Sequence, residues 1–190
     1  MRGDILDWCR RALHDEVMKW VVAAIFLKLP DHSKPLARDL LAAGMRERNP
    51  SCNRVFLEPV RRREQWPQIV DWMIEIAESG GNLEKGGVAR AAYHLQGGKP
   101  MDETSRRRLQ SWMHLEFLRN EDLVAQRSLM PALDFDPASV DVEVKPFIEQ
   151  AIDKASNSDD KYIRHRLGVQ LGTHTGPFMM LDTSGDRDAD

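Results

Sequence analysis

A chain of 190 residues that is 42% hydrophobic and 30% charged can bury a continuous core, and this mixture excludes the disordered and collagen-like classes. Its 27 basic and 30 acidic residues leave a formal net charge of -3, which excludes the strongly basic footprint of a dedicated nucleic-acid binder. Cys9 and Cys52 are too few for a disulfide framework and read as reduced, packed thiols, and the longest apolar run, Trp20 to Leu27, falls far short of the roughly 20 residues that span a bilayer.

The N-terminal stretch carries charges every few residues and no apolar core of a secretory signal, which predicts a cytoplasmic chain with no membrane association. A first helix is expected with Ile5, Cys9 and Leu13 on one face. A second follows, opened by Asp15, with Met18, Val22 and Phe26 at helical spacing and Lys19 beside them. The same alternation recurs. Leu36, Leu40, Leu41 and Met45 mark a third helix, and Asn53 is expected to cap a fourth that carries Phe56 and Val60. Pro59 implies that this fourth helix is shortened or kinked. Ile69, Met73 and Ile76 mark the fifth, and Glu84 opens the sixth, with Gly87, Ala91 and Leu95. Leu109, Met113 and Phe117 mark the seventh, and Asp122 opens the eighth, with Ala125, Leu129 and Leu133. Val144, Ile148 and Ile152 mark the ninth, and Asp160 opens the tenth, with Ile163, Leu167 and Leu171.

The expected helix-opening residues 15, 53, 84, 122 and 160 stand 38, 31, 38 and 38 residues apart, a period characteristic of repeated helix pairs. Clusters of Gly, Pro, Asn, Asp and Ser separate the periodic segments, and no segment alternates with the period of a strand. About ten helices and no sheet are therefore expected. Gly86, Gly87, Ala89, Ala91 and Ala92 predict that the sixth helix approaches its neighbours closely.

Asp160, Ile163, Arg164, Leu167 and Leu171, and after them Asp15, Met18, Lys19, Val22 and Phe26, resemble the second helix of the HEAT-repeat family, over residues 3–172. The resemblance implies an all-α fold, a right-handed α-solenoid of about five HEAT-like helical hairpins over residues 1–172. It also implies a concave face lined by the second helices. Residues 173–190, which end in DTSGDRDAD, are expected to form a flexible acidic tail.

Chemistry-bearing patterns are sparse. The six histidines stand singly, with no pair at the spacing that places two imidazoles on one helical face, so neither a metal site nor a cofactor is expected. The arginine clusters beginning at Arg61, Arg106 and Arg164 read either as an aligned basic stripe or as helix ends paired with Glu64, Glu103 and Asp160. Trp66, Trp72 and Trp112 read as core residues, with exposed stacking platforms as the alternative. On the second helices, Lys19, Arg90, Arg127, Arg164 and His165 are expected to face solvent among Glu16, Glu84 and Asp160 and to bind a partner. A basic excess without a nucleophile suits an acidic protein or peptide, which predicts a non-catalytic interaction scaffold. The alternative is a DNA-binding enzyme resembling the HEAT-like alkylpurine DNA glycosylases, none of whose motif residues can be placed on this chain.

Overall fold

The computed structural model describes residues 2–29, 34–95 and 100–173. Among them there are ten α-helices and no strand, as the periodicity requires. They are α1 Arg2–Ala12, α2 Met18–Ile25, α3 Lys34–Arg46, α4 Pro50–Arg63, α5 Trp66–Ser79, α6 Asn82–Leu95, α7 Glu103–Arg119, α8 Leu123–Leu129, α9 Lys145–Ser156 and α10 Lys161–Gln170. Short 3-10 turns prolong α2 over Phe26–Lys28 and α8 over Met130–Ala132, and a third, Pro137–Ser139, precedes α9.

Three of the five expected helix-opening residues act as caps. Asp15 Oδ1 accepts the Met18 and Val17 amides at 2.8 and 2.9 Å, Asp122 Oδ1 the Ala125 amide at 2.8 Å, and Asp160 Oδ1 the Ile163 amide at 2.9 Å. The other two are corrected. Glu84 is the third residue of α6 and its carboxylate reaches back to accept the Gly81 amide at 2.9 Å, the acidic half of a capping box. Asn53 lies inside α4 and is fully buried; oriented to satisfy its amide, it donates to the Asn49 and Glu47 carbonyls at 2.9 and 3.1 Å and closes the turn after α3. Nor is α4 shortened by Pro59, since it runs through the proline for 14 residues. It is α8, at seven residues, that is cut short, with Pro131 in its 3-10 extension.

Packing follows the two sets of helices. The odd-numbered helices contact one another in succession from α1 to α9, the even-numbered ones from α2 to α10, and each odd helix also contacts the even helix after it. The apolar faces read from the sequence are the core: Cys9, Leu40, Met73, Met113 and Phe117 from odd helices, and Val22, Phe56, Ala91, Leu129 and Ile163 from even ones, are all at most 1% exposed. Met18 and Ile152 are partly buried against that core, and Ile5 and Leu171 lie outside it. Ile5 is 52% exposed and Leu171 is 41% exposed, because among the described residues α1 and α10 have neighbours on one side only.

The sixth helix touches α3, α4, α5 and α8 at once, and its composition explains how. Val88, Ala89, Ala91 and Ala92 are buried, and a Cβ on Gly87 would stand 2.3 Å from the Met45 carbonyl oxygen, so only glycine lets α6 cross the end of α3 there. At the other end of the chain Gly172, at φ 66°, closes α10: the Thr173 amide bonds the Gly168 carbonyl at 2.9 Å and the Gly172 amide the Val169 carbonyl at 3.3 Å. The acidic tail expected from the sequence lies, apart from Thr173, outside the described residues.

From the second pair onward, polar side chains tie each pair to the next at a similar offset. Arg46 with Glu84, Asn82 with Asn120 and Arg90 with Ser128 are each 38 residues apart, Gln170 and the Leu133 carbonyl 37, and Arg127 with Asp160 33.

Candidate partner-binding face

The five basic residues expected to face a partner occupy unlike surroundings. Lys19, in the first turn of α2, is only 12% exposed in its side chain: Nζ bonds Glu16 at 2.5 Å and Glu47 at 3.1 Å and lies 5.7 Å from the Trp20 ring. Burial disfavours its charge, but the two carboxylates outweigh burial and raise its pKa. Arg127, in α8, donates through Nε and Nη2 to Asp160 Oδ2 at 3.0 and 2.7 Å, so that one carboxylate both caps α10 and receives the preceding even helix. Asp160 is partly buried, which alone would raise its pKa; Arg127 and the Ile163 amide lower it below the carboxylate range. Arg164 is exposed and donates to the Ser158 carbonyl just before the same helix, and His165 is partly exposed beside it. Arg127, Asp160 and Arg164 thus meet around the start of α10, while Lys19 belongs to the opposite end of the even series.

Arg90 is different in kind. Its Nη2 donates to the Met45 carbonyl at 3.0 Å and the Leu83 carbonyl at 3.2 Å, and Nη1 to Ser128 Oγ at 3.2 Å, while Nε is buried without a hydrogen-bond partner. All of these acceptors are neutral. Burial, and then the like charge of Arg48, draw its pKa below the usual arginine range against the weaker pull of Glu47.

Next to this junction lies a cleft of about 470 Å³, walled by Leu13, His14 and Glu16 of the α1–α2 turn, Lys19, Arg46 and Arg48 at the end of α3, and Leu83 of α6. Arg46 bonds Glu84 at 2.7 Å and Lys19 is taken by its two glutamates. Arg48 is exposed, and among the described residues it forms no ion pair. In the sequence Arg48 is marked only by the alternation Arg46-Glu47-Arg48.

The other arginine clusters are largely consumed by neighbouring acids. Arg61 and Arg62 share Glu58 at 3.1 and 3.0 Å, Arg106 and Arg107 share Glu103 at 3.0 and 2.8 Å, and Arg108 pairs with Asp71. Glu103 is thus among the expected partners, while Asp160 serves Arg127. Arg63 lies 4.7 Å above the Phe26 ring. Trp66, Trp72 and Trp112 are buried, and Trp112 donates to Glu78 at 3.2 Å.

Two buried titratable groups escaped the sequence. Glu116 of α7 is fully buried between Lys85 Nζ at 3.0 Å, Asn120 Nδ2 at 2.7 Å and Arg119. Burial raises its pKa, but these three donors outweigh that and hold it below the carboxylate range. His114, also fully buried, shares a hydrogen bond with the Gln110 carbonyl at 3.0 Å through Nδ1, stands edge-on to Phe135, and has no partner at Nε2. Burial lowers its pKa. Among the described residues no three of His, Cys, Asp and Glu are placed to hold a metal ion, and no helix is long and apolar enough to cross a membrane.

No family model, curated protein or solved structure matches this chain, so its own residues are the ground for a functional reading.

Proposed function

We propose that this chain is a right-handed α-solenoid of about five HEAT-like hairpins that works in the cytoplasm as a non-catalytic protein-interaction scaffold, holding an acidic partner segment along its even-numbered helices. The solenoid reading is supported by the separate succession of odd and even helices and by ties that recur 33 to 38 residues apart. The binding reading is carried by one observation. At the beginnings of α6 and α8, Leu83, Leu123 and Val124 are 36, 43 and 67% exposed, close in sequence to Arg90 and Arg127 and therefore on the same elements as the basic side chains. Apolar surface mixed with arginine suits a partner that supplies both apolar side chains and carboxylates. The glycosylase alternative draws less support, because Trp66, Trp72 and Trp112, the three tryptophans expected as its stacking platforms, are packed inside.

The test is to identify partners by affinity purification from the native host and to measure one recombinant partner against Arg90→Gln, Arg127→Gln and Arg164→Gln combined. Because Arg127 also holds Asp160 and Arg90 also holds the α3 end, Arg164→Gln alone serves as the variant that spares internal contacts between helix pairs. Binding should fall at least about tenfold in the triple variant and measurably in the single one, with the helical circular-dichroism signal retained. Unchanged binding in both overturns the reading.

A further inference from the structure

Beside Arg90 the cleft carries an exposed cation, Arg48, that no carboxylate among the described residues pairs with, next to apolar side chains. Arg90 bonds only carbonyl and hydroxyl oxygens, and Arg48 forms no ion pair among the described residues, yet the two stand near enough to repel. Folding brings these like charges together at the point where α3 ends against α6, with Gly87 as the close contact that fixes the crossing. An exposed guanidinium with a second positive charge behind it gains from an anion that enters the cleft.

The cleft also has an apolar side. Leu13 and Ala43 are buried at its floor and Leu83 is partly exposed at its wall. Glu16, with a side chain 88% exposed, stands at its rim, and Glu47 lies within it. A phosphate backbone would bring repeated charges past both glutamates and would need several uncompensated cations in a row. A carboxylate flanked by apolar groups avoids both difficulties.

Resting on the scaffold reading above, we propose that this cleft is the anchor point for the partner: it takes one Asp or Glu side chain of an acidic peptide segment on Arg48, with His14 and Arg46 around it, and seats the neighbouring apolar side chain against Leu13, Ala43 and Leu83. Arg90 is a positioning residue here. It holds the ends of α3 and α6 together and supplies positive potential from behind the wall, without touching the peptide.

The experiment is fluorescence anisotropy of the full chain with a labelled synthetic peptide of Leu-Glu-Glu repeats, the isosteric Leu-Gln-Gln peptide, and a short single-stranded oligonucleotide, each at low and physiological ionic strength. The acidic peptide should bind saturably and the amide peptide roughly tenfold more weakly or less. Arg48→Gln should cost about tenfold for the acidic peptide and leave the unfolding midpoint unchanged, since the Arg48 side chain forms no ion pair among the described residues. Arg48→Glu should lose the acidic peptide and gain a Leu-Lys-Lys peptide. Equal binding of acidic and amide peptides, acidic-peptide binding that survives Arg48→Gln, no binding of the acidic peptide, or tighter Arg48-dependent binding of the oligonucleotide would each overturn the proposal. A recombinant native partner that weakens with the Arg90, Arg127 and Arg164 substitutions but ignores Arg48→Gln places the fault in the cleft assignment alone; a partner indifferent to both sets places it in the scaffold reading.

Discussion

Around Glu116 a buried carboxylate meets Lys85, Arg119 and the Asn120 amide, and Asn120 in turn bonds Asn82 of α6 while its carbonyl accepts from Gln126 of α8 and Lys154 of α9. Around Arg90 a half-buried guanidinium meets two carbonyls and a hydroxyl, and the like charge of Arg48 acts on it more strongly than the opposite charge of Glu47. Both sites join helices that lie apart in sequence, and both withdraw a charge from water. At Glu116 the charge is answered within the fold, so its value is structural. At Arg90 the two terminal nitrogens are bonded to neutral oxygens, Nε is buried without a partner, and no contacting carboxylate answers the charge, which leaves the site able to gain from an anion supplied from outside.

The largest expected effect is Glu116→Leu. It strips Lys85 and Arg119 of their shared acceptor and breaks the link to Asn120, and urea denaturation should show a loss of about 3 kcal/mol, the low end for a broken buried pair because both cations can turn to water. Arg90→Met removes donors whose acceptors are carbonyls and should cost only about 1 kcal/mol. Equal losses would erase the distinction between the two sites.

The crossing that builds the Arg90 junction can be probed next. In an open helix alanine is favoured over glycine by about 1 kcal/mol, but at Gly87 the new methyl would meet the Met45 carbonyl, so Gly87→Ala should destabilise by about 2 kcal/mol net. The same variant should widen the cleft and weaken the acidic peptide, while Glu116→Leu, where the fold survives, should leave peptide binding alone. Calorimetric melting and the anisotropy titration together check both outcomes.

His114 sharpens the comparison through pH. Its Nε2 faces no acceptor, and the nearest charge that acts on it is Asp134, too weakly coupled to offset burial. Because its folded pKa is depressed, the neutral form is the native one: the stability is fully present above the unfolded value of about 6.5 and is lost as pH falls toward the folded pKa. Stability should drop by up to about 1.4 kcal/mol for each pH unit in that window. His114→Phe should flatten this part of the profile, measured by denaturation between neutral and mildly acidic pH.

The helices were readable because burial repeats along them: Leu40, Met73, Met113 and Phe117 were all marked by spacing and all lie in the core. Helix starts were readable where a carboxylate caps directly, at Asp15, Asp122 and Asp160. They were misread at Glu84 and Asn53, since an acid in the first turn and an amide that closes the preceding turn leave the same local signature as a cap. The cleft was not readable. Leu13, Arg48 and Leu83 come from three helix ends that meet only because α6 crosses α3 at Gly87, and local periodicity carries no record of that crossing.

The smallest effect should come from Asp122, which stands at the edge of the Glu116 network without belonging to it. Its carboxylate accepts the Ala125 amide at 2.8 Å, and its own amide donates to Asn120 Oδ1 at 2.8 Å. Asp122→Ala keeps the second contact, which is backbone, and loses the first, so α8 should fray at its start for about 1 kcal/mol in urea denaturation. The buried Ala125 and Leu129 continue to hold the helix, and Gln126 still reaches the Asn120 carbonyl at 2.6 Å. Asp160→Ala makes the informative partner, because the same chemical deletion removes both a cap and the acceptor of Arg127 and should cost clearly more. A loss at Asp122 as large as that of Glu116→Leu would mean that the cap, rather than the buried ion network, holds the α7–α8 corner, and the contrast drawn between the Glu116 and Arg90 sites would fail at its structural end.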